Sequence, residues 1–284
     1  MTQTLAEMAV EVLTTADGRE KTALGRKHAA TWFAARAAGV PLAIGQATPP
    51  DFPARPALPE LLPPRDVPRR RPGSPTGRIA LLHAVAHIEL NAVDLHWDII
   101  ARFTHHPMPI GFYDDWVKCA DEEAKHFNLI CDCLGALGSH YGAMPAHAGM
   151  WRAAADTAGD LHGRLAVVPM VLEARGLDVT PGMIEVFRKA GEDGAVAALE
   201  VIYREEVAHV AYGSKWFNWL CGREGSDPKE VFHRLVRHYF HGVLKPPFNE
   251  EKRADAGLPP DFYWPLTDED EDPARAPTRA DAAI

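Results

Sequence analysis

The sequence predicts an all-α fold. Apolar residues recur at helical spacing over several long segments, for example at Leu82, Val85, Ala86 and Val93. No segment shows the alternation of apolar and polar residues that is typical of a half-buried strand. We therefore expect an antiparallel four-helix bundle with extra N-terminal helices, a proline-rich arm and a C-terminal helix.

Four regions follow one another along the chain. Residues 1–40 are expected to form N-terminal helices packed on or near the bundle. Residues 41–75 are rich in proline, which lacks a backbone donor and clashes with the preceding helical turn, so this stretch is expected to be an extended arm. Residues 76–245 are expected to form the helical bundle, and residues 246–284 an extended C-terminal tail.

Within the bundle, the periodicity and the positions of glycine and proline predict where each helix begins and ends. Four long helices are expected, at about 78–103, 112–137, 150–174 and 193–220. A shorter helix at about 181–189 should lie between the third and the fourth, and a C-terminal helix is expected at about 228–240. Pro169 should kink the third long helix or remove one of its hydrogen bonds.

Composition restricts the classes of protein that the chain can belong to. The chain has 284 residues, 46% of them hydrophobic, and a formal net charge of −9 at pH 7. This charge disfavours a sequence-independent grip on nucleic acid, which needs a basic face. No apolar run is long enough to span a membrane, and residues 1–15 do not resemble a secretory signal, so we expect a cytoplasmic protein.

Two copies of one sequence motif contain the candidate metal-binding residues. Residues 122–126 and 205–209 both have the form E-E-x-x-H. A lone glutamate precedes each copy at nearly the same distance: the separation is 123 − 89 = 34 from Glu89 to Glu123, and 206 − 173 = 33 from Glu173 to Glu206. A single E-x-x-H motif is weak evidence for a metal site. A separation of 33 or 34 residues, however, lets the chain reach the end of one helix, turn and return antiparallel in the next. The lone glutamate and the E-x-x-H motif then lie at the same depth of the helix pair.

A glutamate and a histidine three residues apart lie on one face of a helix and can bind one metal ion. Two such hairpins would supply four carboxylates and two imidazoles, which is the ligand set of ferritin-like di-iron and di-manganese bundles. An oxygen-rich set of this kind suits iron or manganese better than zinc or copper. We therefore expect two iron ions, with manganese as the alternative, and six ligands: Glu89, Glu123, His126, Glu173, Glu206 and His209.

Neighbouring residues leave alternatives open. Glu122 is four residues from His126 and could share a metal ion with it, although the three-residue spacing favours Glu123 and Glu206. We expect His83 and His87 to be core or supporting histidines rather than ligands. Asp94 and Asp98 could orient ligand imidazoles, but a solvated helix face is the expectation that we adopt for them.

Several segments also resemble a known family. The run LLHAVAHIEL at residues 81–90, the two E-E-x-x-H motifs, Glu173 and the run KPPFN at residues 245–249 are similar to the bacterial ferritin-like family catalogued as domain of unknown function 455. This resemblance covers most of the chain. It implies a di-metal bundle and leaves the activity undefined, and a related branch is similar to a tRNA-modifying di-iron hydroxylase.

Four functions compete on this basis. The leading hypothesis is an oxygen-activating oxidase or hydroxylase that uses dioxygen and a small-molecule substrate, as a monomer or dimer. The alternatives are a metal-storage or ferroxidase protein, a tRNA-modifying hydroxylase, and a structural bundle with a vestigial metal site. The basic run at residues 69–71 is the feature that points to tRNA, against the acidic charge of the whole chain.

Overall fold

The computed structural model of the protein describes residues 3–40, 42–68 and 72–267. Within these ranges the regular structure is helical, with no β-strand and one isolated bridge between Leu61 and Ala146, so the all-α prediction is confirmed. The chain divides into two compact units. Unit 1 comprises residues 1–61 and 68–146, and unit 2 comprises residues 62–67 and 147–284.

In the described part of unit 1 there are four helices, α1 to α4, at Leu5–Thr14, Gly18–Ala37, Pro75–Arg102 and Ile110–Ala136. Helix α3 begins where Ser74 accepts a hydrogen bond from the Gly77 amide, with Pro75 in the first helical position, where its missing donor does no harm. Helices α3 and α4 form a hairpin, and α1 packs on α3 while α2 packs on α4. From Leu82 to Ala101 nearly every residue of α3 is buried, which makes it the central helix of this unit.

The described residues of the proline-rich arm, between α2 and α3, form no α-helix and no strand. Its backbone pairs with the N-terminal helix, because the Leu5 amide donates to the Ala43 carbonyl and the Ala54 amide donates to Leu13. Two cationic side chains bind further arm carbonyls: the Lys21 ammonium group donates to Ala54, and the Arg102 guanidinium donates to Pro50. The basic run at residues 69–71 lies outside the described residues.

Unit 2 contains seven helices and a π-helical segment within its described residues. The helices are α5 to α11, at Gly149–Asp156, Leu161–Val167, Ala174–Lys189, Asp193–Glu224, Pro228–Tyr239, Glu250–Asp255 and Pro260–Tyr263. The π-helical segment, Val168–Glu173, joins α6 to α7. Short 3-10 turns occur at Pro64–Asp66 and Trp264–Leu266.

One helix boundary prediction is wrong. We expected a continuous third helix over residues 150–174, but the chain leaves the helix after Asp156 and starts a new one at Leu161. Asp160 is the cause of the restart, because its side chain accepts a hydrogen bond from the Gly163 amide and caps α6. The expected helix end near residue 174 is also absent, since α7 runs without a break from Ala174 to Lys189.

The region after residue 245, which we expected to be extended, contains α10 and α11. Arg253 holds α10 in place, because its guanidinium makes two hydrogen bonds to the Asp178 carboxylate, at 2.8 and 2.7 Å. The guanidinium also lies 4.8 Å from the ring centre of Phe248 and 4.6 Å from that of Tyr263. The acidic run at residues 268–272 lies outside the described residues.

Among the residues that the structure describes, no helix is both long enough and apolar enough to cross a bilayer.

Candidate metal site

Unit 1 brings three of the predicted ligands together. Glu89 lies as far before the end of α3 (102 − 89 = 13) as Glu123 lies after the start of α4 (123 − 110 = 13), so the two meet at one depth of the hairpin. His126 follows on the same face of α4. Its Nδ1 atom lies 3.3 Å from Oε2 of Glu89 and 3.5 Å from Oε2 of Glu123. We call Glu89, Glu123 and His126 the unit 1 triad.

The unit 1 triad is removed from water. Glu89 is 4% exposed, and both Glu123 and His126 are 0% exposed. Burial raises the pKa of Glu89 to about 8, with the negative charge of Glu123 acting in the same direction and His126 opposing the shift. Two carboxylates this close together in the interior are both ionised only at a large energetic cost, and a bound cation removes that cost.

Unit 2 brings the other three predicted ligands together. Glu173 is the last residue of the π-helical segment, and Glu206 and His209 lie three residues apart on α8. The three residues can each offer a ligand atom within 4.8 Å of the others. Glu173 and Glu206 are each 7% exposed, and His209 is 0% exposed. We call Glu173, Glu206 and His209 the unit 2 triad.

The glutamates that precede Glu123 and Glu206 are not among the residues grouped as possible metal ligands. Glu122 accepts a hydrogen bond of 2.6 Å from Lys118, and its side chain is 14% exposed. Glu205 is half-buried, whereas Glu206 is buried. In the described part of the chain, the groups of residues that could hold a metal ion contain none outside the six predicted ones.

His83 and His87 of α3 hold a loop. Nε2 of His83 accepts a hydrogen bond of 2.9 Å from the Gly142 amide, and Nδ1 of His87 lies 2.8 Å from the Tyr141 hydroxyl. Because Asn91 donates to Nε2 of His87 at 3.2 Å, that nitrogen is the acceptor and Nδ1 carries the ring proton. The expectation that His83 and His87 support the core rather than bind a metal ion agrees with these contacts.

The expectation of a solvated face for Asp94 and Asp98 is wrong. Asp94 is 5% exposed and pairs with the ammonium group of Lys21, which is itself 0% exposed. Asp98 is 0% exposed and binds Arg102 at 2.7 Å. The spacing could have revealed this second buried face, since five polar residues fall on one side of α3, opposite Glu89. They are His83, His87, Asn91, Asp94 and Asp98.

A small cavity lies against this polar face in unit 1. Its water-accessible volume is about 20 Å³, which is room for about one water molecule. Arg55 of the proline-rich arm lines it together with Asn91, Asp94 and Tyr141. The cavity is thus on the side of α3 that faces away from the unit 1 triad.

The π-helical segment positions Glu173. Pro169, four residues before Glu173, has no amide hydrogen to donate to the carbonyl four residues earlier, so one regular α-helical hydrogen bond is lost there. The prediction that Pro169 disturbs this helix is confirmed, and the disturbance takes the form of a wide π turn. Such turns frequently occur at functional sites.

Comparison with known proteins gives a family. The family described as "Protein of unknown function (DUF455)" matches residues 14–264. A protein of Haemophilus influenzae, described as "Uncharacterized protein", is 40% identical over 208 residues, which is 72% of this chain and 72% of the relative. No solved structure matches the chain. The match to most of the chain, together with this relative, shows that the protein belongs to the DUF455 family.

Proposed function

We propose that the two triads together hold two metal ions, iron in the first place and manganese as the alternative, in a ferritin-like four-helix arrangement. The observation that carries the proposal is that each unit buries the same set of three residues, two glutamates and one histidine, at matching spacing. The donor set supports this, because carboxylate oxygens with a minority of imidazole nitrogens suit iron and manganese. The protein would then act as an oxidase or hydroxylase on a small-molecule substrate with dioxygen.

Charge balance supports two divalent ions. Four ionised carboxylates carry four negative charges, and two divalent cations carry four positive ones. Buried carboxylates without a compensating cation are costly, and the raised pKa of Glu89 reflects this cost in the metal-free protein. A single ion would leave two of the four carboxylates uncompensated.

When two ferrous ions are bound, they supply the electrons with which dioxygen is reduced. The protein's own residues have three tasks. The carboxylates hold the ions by their charge, the E-x-x-H pairs fix an oxygen and a nitrogen on one helix face, and the apolar neighbours exclude water. Buried residues of α4 provide such surroundings for the unit 1 triad, namely Cys119, Ala120, Phe127 and Ile130.

The first test is metal content followed by oxygen reactivity. Protein loaded anaerobically with Fe²⁺ is expected to bind two ions per chain and to consume dioxygen faster than the same concentration of free Fe²⁺. Mössbauer spectroscopy of the oxidised sample should show an antiferromagnetically coupled pair, which two separate mononuclear sites cannot give. Glu123→Ala should abolish this signal, and the adjacent Glu122→Ala is the matched control that should retain it.

Other outcomes would favour the alternatives. Many more than two irons per chain, in a particle of many subunits, would indicate storage. Coupled iron that does not react with dioxygen would indicate a structural role for the metal. Failure to bind either metal after reconstitution would overturn the proposal.

A further inference from the structure

The π-helical segment of unit 2 packs against a glycine of α8. An ideal Cβ atom built on Gly213 would lie 2.5 Å from both Cβ and Cγ of Pro169, and 3.5 Å from Cγ of Met170. In real structures a Cβ atom does not approach the nonbonded atoms of another residue to 2.5 Å. The proline ring therefore occupies the space that any other residue at position 213 would need.

Both partners of this contact lie about one helical turn from the unit 2 triad. Gly213 is four residues after His209 and seven after Glu206, which places it on the same face of α8. Pro169, on the other side of the contact, is four residues before Glu173. The contact thus lies directly beside the triad, where a change in the helix separation would act on the ligands.

The π turn also determines which way Glu173 points. A π turn accommodates one residue more than a regular α turn, so the residues after it are rotated by roughly 100° relative to an uninterrupted helix. Glu173 is the last residue of the turn and is held 7% exposed beside Glu206 and His209. Without the π turn, its carboxylate would leave the face that α8 contacts.

We propose that Pro169 and Gly213 are positioning residues for Glu173. Pro169 prevents the regular α turn, and Gly213 admits the proline ring so that the two helices approach closely enough for the triad to share one metal ion. This inference rests on the proposed function, because it requires that the unit 2 triad binds metal.

The test uses the full chain and Co²⁺, whose visible absorption bands report coordination geometry. We expect wild-type protein to bind two Co²⁺ per chain. In Gly213→Ala the added methyl group should push the π segment away, weaken the second Co²⁺ at least tenfold and change its absorption bands. Gly222→Ala is the matched control, because it lies on the same helix and a Cβ there would meet nothing within 4 Å.

Pro169→Ala tests the same inference without a clash. It restores an amide donor, favours a regular α turn and is expected to weaken the second Co²⁺ in a chain that is at least as stable by circular dichroism. This variant keeps the inference testable if Gly213→Ala does not fold. Wild-type protein that binds no Co²⁺ would overturn the proposed function and this inference with it. Two Co²⁺ bound to wild type and to both variants with equal affinity and spectra would overturn the positioning inference alone.

Discussion

The ammonium group of Lys21 donates to the carboxylate of Asp94, although the two residues are 73 positions apart in the sequence and their side chains are 1% and 7% exposed. Lys21 also donates to the Ala54 carbonyl of the proline-rich arm, at 2.9 Å. This one ion pair therefore joins α2, α3 and the arm within unit 1.

Removing one partner of this pair should destabilise the protein strongly. Lys21→Met leaves the Asp94 carboxylate buried without its cation, which costs about 3–5 kcal/mol. The double variant Lys21→Met, Asp94→Leu removes both charges and should recover most of that loss. Urea unfolding of the wild type and the two variants measures these differences. A double variant as unstable as the single one would contradict the charge explanation.

The Lys21→Met defect should also depend on pH. Burial raises the pKa of Asp94 to about 6, and Lys21 opposes the shift. The folded protein therefore binds more protons at Asp94 than the unfolded chain, so this group's contribution to the free energy of unfolding falls as pH rises from about 4 to about 6. In Lys21→Met the pKa should be higher still, so the decline should continue to higher pH.

We accordingly expect the stability difference between wild type and Lys21→Met to be smaller at pH 5 than at pH 8. Unfolding at both pH values measures it, with Lys189→Met at an exposed position as the control that shows no such change. A difference that does not vary with pH would show that Asp94 keeps the same charge throughout.

Glu89→Gln should stabilise the metal-free protein and weaken its metal binding. Because the pKa of Glu89 is raised to about 8, the ionised group disfavours the folded metal-free protein, and that disadvantage grows as pH rises towards 8. The neutral amide avoids it, so metal-free Glu89→Gln should be more stable than metal-free wild type at pH 8, by about 1 kcal/mol or more.

Metal should reverse this order. A ligand present at about 1,000 times its Kd stabilises the folded wild type by about 4 kcal/mol, and the variant should gain much less. Thermal unfolding of both proteins under anaerobic conditions, with and without Fe²⁺, measures their order of stability in the absence and in the presence of metal. Equal gains in both proteins would mean that Glu89 does not bind the metal.

Substitution of Arg253 should strongly lower the free energy of unfolding of unit 2. It is 2% exposed, binds Asp178 through two hydrogen bonds and lies over two aromatic rings. Arg253→Met should cost about 3 kcal/mol in urea unfolding, because the buried Asp178 carboxylate loses two charged hydrogen bonds and keeps the Asn249 amide and the longer contact of 3.4 Å with Arg175. Arg188→Met is the control: its ion pairs with Glu185 and Glu200 involve side chains about half exposed, and exposed pairs contribute about 1 kcal/mol or less. Equal losses in the two variants would contradict the role of burial.

Periodicity, together with the positions of glycine and proline, predicted α3, α4, α8 and α9 to within a few residues, because long amphipathic segments with clear end signals depend little on distant partners. The break before α6 was missed, although Asp160 ahead of Leu161 is a readable capping signal. The repeated spacing also predicted which residues each unit brings together, since the depth at which two antiparallel helices meet follows from counting along the chain.

What the sequence could not predict depends on contacts between distant segments. Asp94 looks like a surface aspartate until Lys21 is known to lie beside it. Pro169 predicts a disturbed helix, but the form of the disturbance depends on the space that Gly213 leaves on another helix. Both features need the packed structure.

The arm is held to α3 by two similar bridges, in which Asp94 and Asp98 bind the cations that donate to Ala54 and Pro50. The anchor points on the arm are backbone carbonyls, which every residue type possesses. Natural variation should therefore change the exposed side chains of the arm freely, for example at Phe52, which is 68% exposed. Insertions or deletions between the two anchors should be rare, because they would move one carbonyl away from its cation, so we expect relatives to keep the length of the segment from Pro50 to Ala54 rather than the identity of its exposed residues.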